Sequence, residues 1–144
     1  MARRLIKTLE ELCDDFAAGI IALRKLAKKN GETTIAGQLM RSGTSVGANV
    51  AEAKFPQTRG DYISKLSIAL KEASETHYWI RMLDRQGIVA KEPELAGVKD
   101  DCETIMAKLQ NAIHYAKIAK ARELAELEKH KRRRRVPPPQ GGAS

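Results

Sequence analysis

Apolar residues recur along this chain at steps of three and four. Leu5, Leu9, Leu12, Cys13, Phe16, Ile20, Leu23 and Ala27 share one face of a 3.6-residue period, which predicts a helix from about Arg3 to Lys29. Asn30-Gly31 supplies the left-handed residue that commonly ends a helix. Thr33 or Thr34 is placed to cap a second helix carrying Ile35, Leu39, Val46 and Val50 and ending near Lys54. Phe55-Pro56 breaks the pattern, and Thr58 with Asp61 has the spacing of a capping box. A third helix follows with Ile63, Leu66, Leu70, Ala73, His77, Ile80 and Leu83 or Asp84 inward, stopped by Gly87. Pro93 suits the first position of a fourth helix, whose stripe runs Leu95, Val98, Cys102, Ile105, Met106, Leu109, Ile113 and Ala116.

Four amphipathic helices with short links predict an all-α fold, an antiparallel up-down-up-down four-helix bundle over residues 1–119. Beyond it the stripe thins to Ile118, Leu124 and Leu127, while pairs such as Arg122 with Glu126 and Glu128 with Arg132 could sustain helix. Residues 120–135 therefore read as a basic extension of the fourth helix. Residues 136–144, Val-Pro-Pro-Pro-Gln-Gly-Gly-Ala-Ser, cannot continue a helix and read as a disordered tail.

Composition agrees with this and adds charge. Only 4% of the 144 residues are aromatic, so the core must be aliphatic and Ala-rich. The net charge is +8, and residues 120–144 hold eight Lys/Arg against three Asp/Glu. A dense positive field attracts polyanions. No apolar run approaches a membrane span, and no signal-peptide core is present, so a cytoplasmic location is expected. Cys13 and Cys102 fall on apolar stripes and read as small buried hydrophobes.

Candidate chemistry mostly dissolves on inspection. Gly43-Thr44-Ser45-Val46-Gly47 matches the nucleophile-elbow pattern, but that elbow needs a strand before the serine, and here both flanks are helical. As small residues four apart, Gly43, Gly47 and Ala51 instead predict a close helix seam or a subunit interface. No Lys-Ser/Thr follows the Gly31–Gly37 stretch, so no phosphate loop is indicated. The residues three before His77, His114 and His130 are Ser74, Asn111 and Leu127, which rules out the usual di-iron arrangement; His77 and His114 read as satisfied, partly buried polar groups. No catalytic residue, metal or cofactor is expected. Asn49 and Glu52 suggest a structural hydrogen-bonded network with Arg41, Ser45 or Lys71. Tyr78 and Trp79 read as core or interface packing before base stacking.

Gln38-Leu39-Met40-Arg41-Ser42-Gly43-Thr44-Ser45-Val46-Gly47-Ala48-Asn49-Val50-Ala51-Glu52-Ala53 resembles the signature of the "four helix bundle protein" family, also called the ribosomal intervening-sequence or S23-type family. Asp61-Tyr62-Ile63 and Ser67 to Thr76 resemble its third helix, and the likeness covers roughly residues 5–118. Met40 stands where a basic residue is common, Gly43 for a small Ala or Ser, and Ala53 where Gly usually sits. The motif residues Gln38, Arg41, Ser45, Asn49 and Glu52 carry over as structural. The resemblance implies a homopentameric barrel of bundles encoded within large-subunit ribosomal RNA genes. It also implies a related branch that serves diversity-generating retroelements, binding nucleic acid and a reverse transcriptase.

Lys131-Arg132-Arg133-Arg134-Arg135 is the most distinctive charged feature. Five successive cations add nothing to a core, whereas guanidinium groups bind phosphate bidentately. In an antiparallel bundle Arg3, Arg4 and Lys7 would lie at the same end and join them. The expected function is a non-enzymatic, oligomeric nucleic-acid-binding accessory, directed at the backbone of RNA or an RNA/DNA hybrid. Its expected partners are further copies of itself, nucleic acid and a reverse transcriptase, with no membrane role. The alternative is a protein-interaction scaffold.

Overall fold

The computed structural model describes residues 6–135, so Arg3, Arg4, Leu5 and the segment 136–144 lie outside it. Four α-helices and two short 3-10 turns follow in order, and no strand occurs among the described residues: α1 Leu9–Lys29, α2 Thr33–Glu52, α3 Arg59–Arg85, turns at Val89–Lys91 and Pro93–Leu95, and α4 Gly97–Arg135.

Local chemistry sets each boundary. Thr8, extended at φ −66° and ψ 164°, caps α1 through a capping box with Glu11, so the helix begins six residues later than the stripe alone suggested. Gly31, at φ 82°, closes the other end: its N–H bonds Lys28 O at 3.0 Å and the Glu32 N–H bonds Ala27 O at 2.9 Å. This paired closure reverses the chain within three residues and uses Glu32 as the N-cap of α2, leaving Thr33 and Thr34 inside the first turn rather than capping it. Gly87, at φ 70°, repeats the device, with Ile88 N–H bonding Leu83 O at 3.1 Å. Thr58 does cap α3, its hydroxyl accepting from Asp61 N–H at 3.0 Å, while the Asp61 carboxylate reaches Gln57 N–H at 3.1 Å. Pro93 opens a 3-10 turn, not α4, which starts four residues later at Gly97.

Each helix packs on its sequence neighbours, and α4 closes back on α1 through the sparsest of the four seams. The core is Phe16, Ile20 and Leu23 of α1, Leu39 and Val46 of α2, Ile80 and Leu83 of α3, and Cys102, Ile105 and Leu109 of α4. On α3 the buried line is Leu66, Ala69, Ala73, Thr76, Ile80 and Leu83. Thr76 therefore takes the place expected of His77, and Asp84 faces outward. A small hydroxyl fits this Ala-lined seam because it is satisfied: Thr76 Oγ1 lies 2.7 Å from Glu72 O and 2.8 Å from Ser42 Oγ, whose own proton goes to Gln38 O at 2.8 Å.

Of the small-residue stripe on α2, Gly43 is the close contact. A Cβ there would stand 2.8 Å from two carbons of Ile20. At Gly47 it would make an ordinary 3.4 Å contact with Cys13, and Ala51 is exposed. Gly19 forms a second close approach, a Cβ there lying 2.6 Å from Val98 on α4. Cys13 and Cys102 are buried free thiols, and burial pushes them up to about 11 and about 12 respectively.

Candidate nucleic-acid interface

At 39 residues α4 is about 58 Å long at 1.5 Å per residue, roughly twice the length of α1. Its last buried residue is Ala116, and every residue from Lys120 to Arg135 is exposed. The helix therefore leaves the bundle, is last tied to it where Glu123 meets Arg59 of α3, and continues beyond that without a packing partner among the described residues. Good helix formers sustain it, with ion pairs one turn apart: Lys129 to Glu126 at 2.7 Å and Lys131 to Glu128 at 3.4 Å. These stand in place of the expected Arg122–Glu126 and Glu128–Arg132 pairs. Arg132 to Arg135 occupy the last turn, where cations oppose the negative end of the helix dipole.

Successive helical residues turn by about 100°, so five in a row encircle the axis. Lys131 to Arg135 thus make a ring of positive charge around the helix tip, not a stripe on one face. All five are exposed, and only Lys131 has an ion pair among the described residues. Lys117, Lys120 and Arg122 bring further cations to the same helix; these lie outside the residues expected from sequence, being interleaved with Ile118, Ala119 and Ala121 rather than clustered.

Lys7 does not join them. Its ammonium pairs with Asp15, which raises its pKa, and Asp101 near the start of α4 adds to the effect. Residue 101 stands about 45 Å along α4 from Lys131. Lys7 and the arginines do not share one basic end, because the extension carries its cations well past the bundle and Lys7 reaches along α1 to Asp15. Arg3 and Arg4 lie outside the described residues.

The motif arginine is engaged differently. Arg41 Nε donates to Gln38 Oε1 at 3.2 Å, Nη1 reaches Glu72 Oε2 at 3.2 Å, and Nη2 pairs with Glu75. Glu75 also accepts from Trp79 Nε1 at 3.2 Å, and it is held below its ordinary value chiefly by the Arg41 bond. Ser45 Oγ donates to Arg41 O at 2.7 Å, and Asn49 Nδ2 donates to Ser45 O at 2.8 Å. Glu52 pairs with Lys65, not Lys71. The set forms a partly exposed strip along α2 that clamps it to α3. His77 is half-buried with Nε2 2.9 Å from Glu103 Oε1, whereas His114 is exposed, against expectation, beside Tyr115. Tyr78 meets Trp79 edge to face at 4.9 Å and is 46% exposed.

Residues 9–111 match the family described as 23S rRNA-intervening sequence protein. The chain belongs to that family. Among solved structures it resembles a protein of unknown function from the S23 ribosomal protein family of Bacteroides thetaiotaomicron VPI-5482, at 36% identity and a TM-score of 0.68. The match covers 74% of this chain and 98% of that one. No curated protein matches. The family span ends at residue 111, so the bundle is what the chain shares with the 23S rRNA-intervening sequence proteins, and the projecting part of α4 lies beyond it.

Proposed function

We propose that this protein is a nucleic-acid-binding accessory, non-enzymatic and directed at the sugar-phosphate backbone of RNA or an RNA/DNA hybrid. The observation that carries the reading is the ring of Lys131 to Arg135, exposed on a helix that the bundle does not cover. Cations spread around a rod oppose phosphates on both walls of a groove, and they bind by releasing counterions rather than by reading bases. The family's description, which names ribosomal RNA, accords with this and with a cytoplasmic setting. Assembly as a homopentamer, which the family resemblance implies, would present five such rods and raise avidity without new contacts. In that setting a reverse transcriptase is a further candidate partner.

A gel-shift titration over a range of salt tests the proposal. Wild type is expected to retain structured RNA at low salt. Replacing Lys131 to Arg135 by glutamine should cut the salt slope by about 3.5 to 4.5 units, at roughly 0.7–0.9 for each of five phosphates no longer neutralised. No retention by wild type at low salt would refute it. The alternative, a protein scaffold, is favoured by Leu124 and Leu127, which are 55% and 57% exposed on the projecting helix where a partner helix could cover them. Recovery of a protein partner after nuclease treatment, together with absence of RNA retention, would select it.

A further inference from the structure

Where α4 leaves the bundle it passes the start of α3, and an open groove of about 670 Å³ lies between them. Its walls include Pro56, Thr58, Arg59 and Tyr62 on one side and Tyr115 and Ala116 on the other. Ligand sites commonly span about 300–1,000 Å³, so the groove has room for a planar base and its sugar. Tyr115 is 70% exposed, an aromatic face that the core does not use. Cations stand at the end of the groove toward the projecting helix. Arg59 Nε and Nη2 both reach Glu123 Oε1, at 2.9 and 2.7 Å. The Lys120 ammonium lies over the first turn of α3, only 3.2 Å from where a Cβ of Gly60 would be. A Cβ at position 60 would press on it and shift the ammonium by a few tenths of an ångström.

We infer that this groove binds an unpaired nucleotide, with the base against Tyr115 and Tyr62 and the phosphate at Lys120 and Arg59. The inference rests on the proposed function and deepens it by naming the substrate class: single-stranded nucleic acid, or an unpaired stretch beside a duplex. An aromatic face next to cations is what single-strand binding uses, because every base can stack and every phosphate is anionic. Continuity argues for the same occupant: Arg122 is seven residues beyond Tyr115 and so on the same side of α4, leading toward the ring at Lys131 to Arg135. Glu123 is the competitor for Arg59 that a phosphate would displace.

The test compares two probes carrying equal numbers of phosphates, a fluorescein-labelled oligouridine and a blunt RNA duplex, by anisotropy titration on the full chain. Tyr115→Ala, an exposed position on a helix, should keep wild-type circular dichroism. It is expected to weaken oligouridine binding about tenfold, the loss of one stacked base, and to leave duplex affinity unchanged. Tyr115→Phe should bind as wild type, and Glu123→Ala, which removes the acceptor that holds Arg59, should tighten the oligouridine. Equal loss on both probes, or no loss on either, overturns the groove while leaving the backbone-directed function standing if the duplex still binds through residues 131–135. A fall in native mass for Tyr115→Ala also overturns it, showing that the groove is a contact between copies. Failure of wild type to bind either probe at low salt brings down both readings.

Discussion

Gly43 and Gly37 both lie within α2, yet only Gly43 touches another helix. A Cβ at position 43 would press on Ile20 at 2.8 Å, whereas nothing lies within 4 Å of one at position 37. Alanine is the better helix former by about 1 kcal/mol, so the two substitutions should diverge in sign. Gly37→Ala is expected to stabilise the protein by about 0.5–1 kcal/mol. Gly43→Ala should destabilise it by up to about 2 kcal/mol, because crowding a packed core outweighs the propensity gain. Urea unfolding of both variants checks this, and equal shifts would show that the seam yields. The helical period placed Gly43 on a small-residue stripe, but no pattern within α2 says that Ile20 stands opposite. Nor does any pattern single out Gly19, whose partner Val98 is far along the chain.

Between elements, the clamp of Arg41 on Glu72 and Glu75 joins α2 to α3. Glu75 has its pKa lowered from the ordinary 4.5, first by its bond to Arg41. A lowered folded value means that the unfolded chain takes up the proton first as pH falls. The contribution is therefore fully present above about pH 4.5 and is lost as pH drops through the folded value. Arg41→Gln should be less stable than wild type by a constant margin near neutral pH, and the two curves should converge in acid. Denaturation midpoints measured across pH settle the matter; a margin that persists in acid would assign the loss to packing. The motif around Arg41 was legible as structural in the sequence. Its geometry was not, since Glu52 met Lys65 in place of Lys71, and the network proved to be a partly exposed strip. Helical periodicity alone was also one residue off on α3, where it favoured His77 over Thr76. A stripe drawn through the largest apolar residues drifts toward them, whereas the actual seam runs through alanines and a satisfied threonine.

For the whole molecule, α4 is the asymmetric part: its first half closes the bundle and its second half, with the cationic tip, lies outside the family span. Native mass measurement distinguishes how many tips act together. With each chain at 15.9 kDa, the pentamer proposed above should have five times that mass, and should retain it when Lys131 to Arg135 are neutralised, because like charges on neighbouring copies repel rather than hold an assembly together. A monomer would remove the avidity gain while leaving the phosphate contacts proposed for each rod open to it. A mass that falls on neutralisation would place the tip in the assembly contact instead.

By itself the sequence determined four helices, their approximate ends and a cationic extension, because hydrophobic period, glycine closures and like-charge runs act over a few neighbouring residues. It could not determine that Thr76 meets Ser42, that Lys7 turns toward Asp15 and away from the arginines, or that Tyr115 and Arg59 border one groove. Those facts join residues far apart in the chain. They follow from how the helices rotate and slide against one another, which packing across the seams decides and no single helix encodes.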